Sequence, residues 1–124
     1  FWSPDSQSIA FITPARRSAG TFDASYTPRL QQPELELTWS LLDLSDGSSQ
    51  RLASFNPTNE MIYVITYFDQ FAQSHRLWSP DSRALVYGEV TAEGDLIISI
   101  LDIAADRVVP YSIGQGVLGI WSYQ

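Results

Sequence analysis

"FWSPDS" occupies Phe1–Ser6, and "LWSPDS" occupies Leu77–Ser82, 76 positions later. In each copy the four residues Ser-Pro-Asp-Ser carry the chemistry of a type I turn. Serine suits the first position, proline presets φ at the second, and aspartate suits the third. A short apolar run follows each turn, Ile9-Ala10-Phe11-Ile12 and Ala84-Leu85-Val86-Tyr87. Runs of this length suit strands covered on both faces. A tryptophan precedes each turn, a side chain that needs a large pocket and a partner for its N–H.

A second pair of phrases fixes the alignment. "LLDLSDGSSQRL" begins at Leu41 and "ILDIAADRVVPY" at Ile100; placing Asp43 on Asp102 puts Leu42 on Leu101 and Leu44 on Ile103. Both read as strand, tight turn, strand, and Asp46-Gly47 is a strong hairpin signal. A shortened third copy, Ile120-Trp121-Ser122, stands 43 residues after Trp78. That period fits the roughly 40–45 residues of a four-stranded propeller blade. The first interval is longer, and its excess falls between strands: Asp5 to Asp43 spans 38 positions against 21 from Asp81 to Asp102, and Asp43 to Trp78 spans 35 against 19 from Asp102 to Trp121. Insertions between intact strands are what a repeat architecture tolerates.

Trp-Ser-Pro-Asp followed by Ile-Ala-Phe resembles the repeat of TolB-type β-propellers. The match is carried by Trp2–Ile12, Trp78–Tyr87 and the Asp-Gly hairpin with Arg51-Leu52. Two departures stand out: Ser6 and Ser82 occupy positions where that family often has glycine, and Ala104-Ala105-Asp106 replaces a glycine turn. The resemblance implies an all-β chain of propeller blades, each a four-stranded antiparallel sheet, in a partial ring. The first blade is expected over about 1–76, with insertions at about 13–32 and 56–76. The second is expected over 77–124, ending at the start of a third repeat. The structural repeat residues are then Trp2, Ser3, Pro4, Asp5, Trp78, Ser79, Pro80, Asp81, Trp121 and Ser122. Corresponding tryptophans are expected to anchor successive sheets in like surroundings. Because known propellers use roughly four to eight blades, further chain or further copies are expected to complete the ring.

The first insertion, with Pro14, Pro28 and Gly20, reads as an irregular rim loop. Its Phe22 and Tyr26 are candidate partner-binding residues, against the plainer reading that they anchor their own loop. In the second insertion Met61, Val64, Ile65, Phe68, Phe71 and Ala72 recur at helical spacing. That spacing favours a helix from Asn59 to Gln70, with Thr58 or Asn59 as cap, over the strand that Ile62–Tyr67 would also suit. Tyr67, Phe68 and Phe71 are the candidate partner-binding residues there.

Composition narrows the function. The net charge of −7, with seven scattered arginines and no lysine, provides no basic stripe for nucleic acid. The chain has no cysteine and one histidine, which disfavours a zinc site. No apolar run approaches the roughly 20 residues of a spanning helix, so no direct membrane insertion is expected. His75, beside Ser74 and near Asp69, sketches a nucleophilic triad, but no G-x-S-x-G elbow accompanies it and a structural or surface histidine is favoured. Gly114–Gly119 fits G-x-G-x-x-G but runs straight into the third repeat phrase, which suits a connection between sheets rather than a nucleotide loop. Asp43, Ser45 and Asp46 lack the spacing of a calcium loop.

No catalytic, metal or cofactor residue is therefore expected. The function expected is a non-catalytic scaffold or protein-binding module. The TolB-type resemblance implies a bacterial, extracytoplasmic setting, with partners in an envelope complex or further blades. The alternative is an accessory, gating domain of a prolyl-oligopeptidase-like serine peptidase whose catalytic domain lies elsewhere. A small-ligand-binding propeller is a third reading.

Overall fold

A computed structural model describes residues 1–15, 35–71 and 74–122. The two Ser-Pro-Asp-Ser phrases fold alike. Ser6 N–H donates to Ser3 O at 2.9 Å and Ser82 N–H to Ser79 O at 3.0 Å, closing each turn. The Ser3 and Ser79 hydroxyls donate to Asp5 and Asp81, each at 2.6 Å. The same hydroxyls accept the amides of Ser8 and Ala84, at 3.0 and 2.9 Å. Ser6 and Ser82 take φ of 59° and 60°, a left-handed conformation that costs a side-chain-bearing residue roughly 1 kcal/mol. Glycine would avoid that cost. Ser82 offsets it, because its hydroxyl accepts the Asp5 amide at 3.0 Å and so joins the two turns.

From each turn a three-stranded antiparallel sheet unrolls. The first holds β1 (Ser8–Pro14), β2 (Leu37–Asp43) and β3 (Ser49–Phe55) in that order. Following α1 (Asn59–Thr66) and α2 (Phe68–Phe71), the second sheet holds β4 (Ala84–Val90), β5 (Leu96–Asp102) and β6 (Tyr111–Gln115). Their registers correspond: Ser8 pairs with Asp43 as Ala84 pairs with Asp102. Even the irregularities match, with shifts between Trp39 and Ser40 and between Ile98 and Ser99. Trp39-Ser40, which superficially echoes the opening phrase, thus lies mid-strand.

Among the described residues each sheet has three full strands rather than the expected four. The fourth is reduced to the tryptophan segment, which bridges the first strand at Trp2–Ile9 and Trp78–Leu85. Pro4 and Pro80 stop the pairing at once, since proline supplies no N–H. The first insertion also starts later than expected. Thr13 and Pro14 extend β1 against Thr38 and Leu37, and Ala15 N–H donates to Glu36 O at 2.9 Å. Phe22 and Tyr26 lie outside the described residues.

The sheets stack through unlike faces. Ala10, Leu37 and Trp39 of the first sheet meet Leu85, Tyr87 and Leu101 of the second in one buried cluster. In the shared register the counterparts of Ala10 and Trp39 are Val86 and Ile98, which belong to a separate cluster on the second sheet's other face. Aromatic contacts hold the stack: Phe55 lies 4.7 Å from Tyr87 and Trp39 lies 6.0 Å from it, centroid to centroid. Burial in this layer, then the nearby Glu89 charge, pushes the Tyr87 phenol far above its ordinary pKa.

Asp5 and Asp81 are held below the ordinary aspartate value of 3.8, first by the serine hydroxyl each accepts. A depressed pKa means that the fold favours the ionised form. The stability these groups contribute is therefore full above the ordinary value and is lost as pH falls through the lower folded one. Asp81→Asn is expected to be less stable than the parent near neutrality, with the gap narrowing between about pH 5 and pH 2, as read by urea midpoints.

Candidate partner-binding surface

The second insertion is stitched to the second sheet before it becomes helical. Asn56 O accepts Val90 N–H at 2.8 Å, and Pro57 bridges Glu89. Thr58 then caps α1: its hydroxyl oxygen accepts the Met61 amide at 3.1 Å, while its O–H donates to Val117 O. Met61 and Val64 turn inward and are buried.

The helix is shorter than its spacing suggests. It ends at Thr66, and Tyr67 takes φ −109° and ψ 34° before α2 begins. The run Ile62, Val64, Ile65, Thr66 is β-branched and weak in helices, and the Thr66 hydroxyl bonds back to Ile62 O at 2.8 Å. The break redirects the following aromatics. Phe68, expected to share the buried face with Met61 and Val64, instead sets its edge on Phe1 at 4.9 Å.

Outward, a continuous aromatic surface results. Tyr63 and Tyr67 are 55% and 46% exposed, with ring centroids 4.7 Å apart. Tyr63 lies 5.6 Å from Phe71, and Phe71 lies 4.6 Å from His75. Two apolar grooves border this surface. One, of about 500 Å³, runs between Tyr63, Val64, Phe71 and Leu118. The other, of about 300 Å³, lies among Trp2, Pro4, Phe68 and Trp78. His75 lines both. Of the sequence candidates Tyr67, Phe68 and Phe71, all reach this region. Tyr63 was missed, although its i, i+4 and i+8 relation to Tyr67 and Phe71 was readable.

The Ser74 hydroxyl lies 2.8 Å from His75 Nδ1, so adjacent side chains do meet here. Among the described residues no hydrogen bond links His75 to Asp69. Two of the three glycines of the G-x-G-x-x-G run serve packing: a Cβ on Gly119 would come within 2.5 Å of Val86 Cγ2, and one on Gly116 within 2.9 Å of Ile98 Cγ1, while one on Gly114 would meet open space. The hairpin carboxylates are engaged in their own turns, Asp43 with the Ser45 amide at 2.8 Å and Asp46 with the Ser48 amide at 2.8 Å.

The repeat tryptophans share backbone geometry but not burial. Trp78 is 4% exposed and its indole N–H donates to Phe1 O at 3.0 Å, whereas Trp2 is 62% exposed. Trp78 rests against the preceding sheet, and among the described residues no sheet stands in that relation to Trp2. Trp121 packs on Val86, Ile98 and Ile100. Ser3 and Ser79 are buried at the turns, while Pro4, Asp5, Pro80, Asp81 and Ser122 are exposed.

No protein-family model matches the chain, and no curated protein matches it. In structure it is similar to TolB from Acinetobacter baumannii, at 19% identity and a TM-score of 0.47. The match covers 94% of this chain and 21% of that one, so the chain spans about a fifth of that protein's length. Among the described residues no helix is long and apolar enough to cross a membrane.

Proposed function

We propose that the chain is a non-catalytic module of propeller blades that binds a protein partner, within a larger propeller or an extracytoplasmic envelope complex. The observation that carries this reading is the cluster of Tyr63, Tyr67 and Phe71, rings packed at a tilt beside an apolar groove, with both tyrosines exposed and Phe71 half-buried. Rings already packed on one another give up little conformational freedom on binding, and aromatic anchors in pockets carry much of the energy of protein interfaces. Exposed apolar patches rimmed by polar groups mark interaction sites. Here Asn59 and Glu60 form that rim.

The test is photo-crosslinking in cells, with a benzophenone amino acid at Tyr67 and, as control, at Val109, which is also exposed. A discrete protein adduct is expected from position 67 and none from 109. Tyr63→Ser with Phe71→Ser in the same chain is expected to reduce the adduct about tenfold, the scale of losing two anchors. Equal yields from both positions, or an adduct that survives the double substitution, would count against this surface.

A further inference from the structure

The face of the first sheet turned away from the stack holds a pocket of about 350 Å³ lined by Thr13, Pro14, Ala15, Thr38, Ser40 and Arg51. Pairing explains how these residues converge. Thr13 lies opposite Thr38, and Ser40 opposite Arg51, so all four side chains share one face. Arg51 is held in place by hydroxyls: its Nη2 donates to Ser54 Oγ at 3.0 Å and Thr38 Oγ1 at 3.3 Å, and those two oxygens lie 2.9 Å apart. A guanidinium has five N–H donors, and among the described residues Arg51 meets no carboxylate. Ser40 is 9% exposed, and among the described residues its hydroxyl has no hydrogen-bond partner.

The second sheet shows what this arrangement lacks. Ser99 is the counterpart of Ser40, and Glu89 is the counterpart of Thr13 in the shared register. There the serine hydroxyl donates to the Glu89 carboxylate. Thus the same buried serine has a built-in carboxylate in one sheet. In the other it has threonine, an open pocket, and an arginine directly across the strand.

We propose that the first-sheet pocket binds a carboxylate, with Arg51 and the Ser40 hydroxyl as its donors. The ligand takes the place that Glu89 fills beside Ser99, and its charge meets the guanidinium that has no counterpart in the second sheet, where Ser112 pairs with Ser99. Arginine with a flanking hydroxyl matches the planar, two-oxygen geometry of this group. The carboxylate is either a small free acid or an acidic side chain.

Titration followed by amide and arginine NMR signals tests the site, with sodium acetate, N-acetyl-glutamate methylamide, its glutamine analogue and sodium phosphate as probes at matched ionic strength. Saturable shifts centred on Ser40 and Arg51 are expected from both carboxylates and not from the glutamine analogue, with dissociation constants of about millimolar order for such small ligands. Arg51→Gln is expected to weaken binding about tenfold. Thr13→Glu, which installs the second sheet's own carboxylate, is expected to abolish binding while leaving the spectrum dispersed. Either ranking of the two carboxylates supports the site and assigns its source. Non-saturating shifts, an equal response to the glutamine analogue, unchanged binding by Arg51→Gln, or tighter binding of inorganic phosphate than of acetate would overturn the proposal.

Discussion

Trp78→Ala is expected to cost about 3–5 kcal/mol of folding stability, the range for removing a buried tryptophan, while Trp2→Ala is expected to cost less than about 0.5 kcal/mol. Urea unfolding of both variants checks the pair. The two residues precede the same turn and make the same bridge, so the local sequence gives no reason for a difference. The difference is tertiary. Trp78 lies in the buried cluster with Trp39, Leu77 and Leu85, and its indole N–H satisfies Phe1 O. Removing it opens a cavity between the sheets and leaves that carbonyl one bond short. Trp2 gives up only a half-solvated ring. Equal losses from the two variants would mean that the sheets do not stack as described.

Gly88→Ala is expected to destabilise the chain by about 1–3 kcal/mol or more, the cost of forcing atoms into a filled site. A Cβ at this position would come within 2.2 Å of Val117 O and 2.9 Å of Thr58 Oγ1. The first contact is with backbone, which cannot swing aside as a side-chain tip can. Three segments meet here: β4, the cap of α1, and the stretch after β6. The alanine methyl would separate Thr58 from Val117, so the loss should be accompanied by weaker protection of the α1 amides in hydrogen exchange. A stable Gly88→Ala variant with unchanged exchange would show that the insertion is not pinned at this point.

Much of the fold was legible because its signals are local. Proline, aspartate and serine at fixed offsets specify the turns, and Asp46-Gly47 specifies the hairpin, where Gly47 takes φ 72°. Aligning Asp43 with Asp102 reproduced the strand correspondence down to the matching irregularities. Beyond β5, however, the alignment slips: Leu41 pairs with Gln50, whereas its counterpart Ile100 pairs with Tyr111, because the second turn is two residues longer. The helix was readable from Met61 and Val64, but its end was not. Periodicity continues through Phe68 and Phe71, while β-branching and the Thr66 back-bond break the helix at Tyr67. The carboxylate pocket was hidden for a different reason. Thr13, Ser40 and Arg51 are far apart in sequence, and only the pairing register brings them to one face and sets them against Glu89 and Ser99.

Stacking by unlike faces has a geometric consequence. The step from one sheet to the next is a rotation with a direction, so no twofold axis can relate the two partners. Repeating such a step either returns to its origin after a set number of units or advances as an open helix. Until the circle closes, one acceptor face and one donor face stay unmatched, however many units are added. Short arrays of these sheets should therefore join one another end to end as concentration rises, and capping either end alone should be enough to stop the growth.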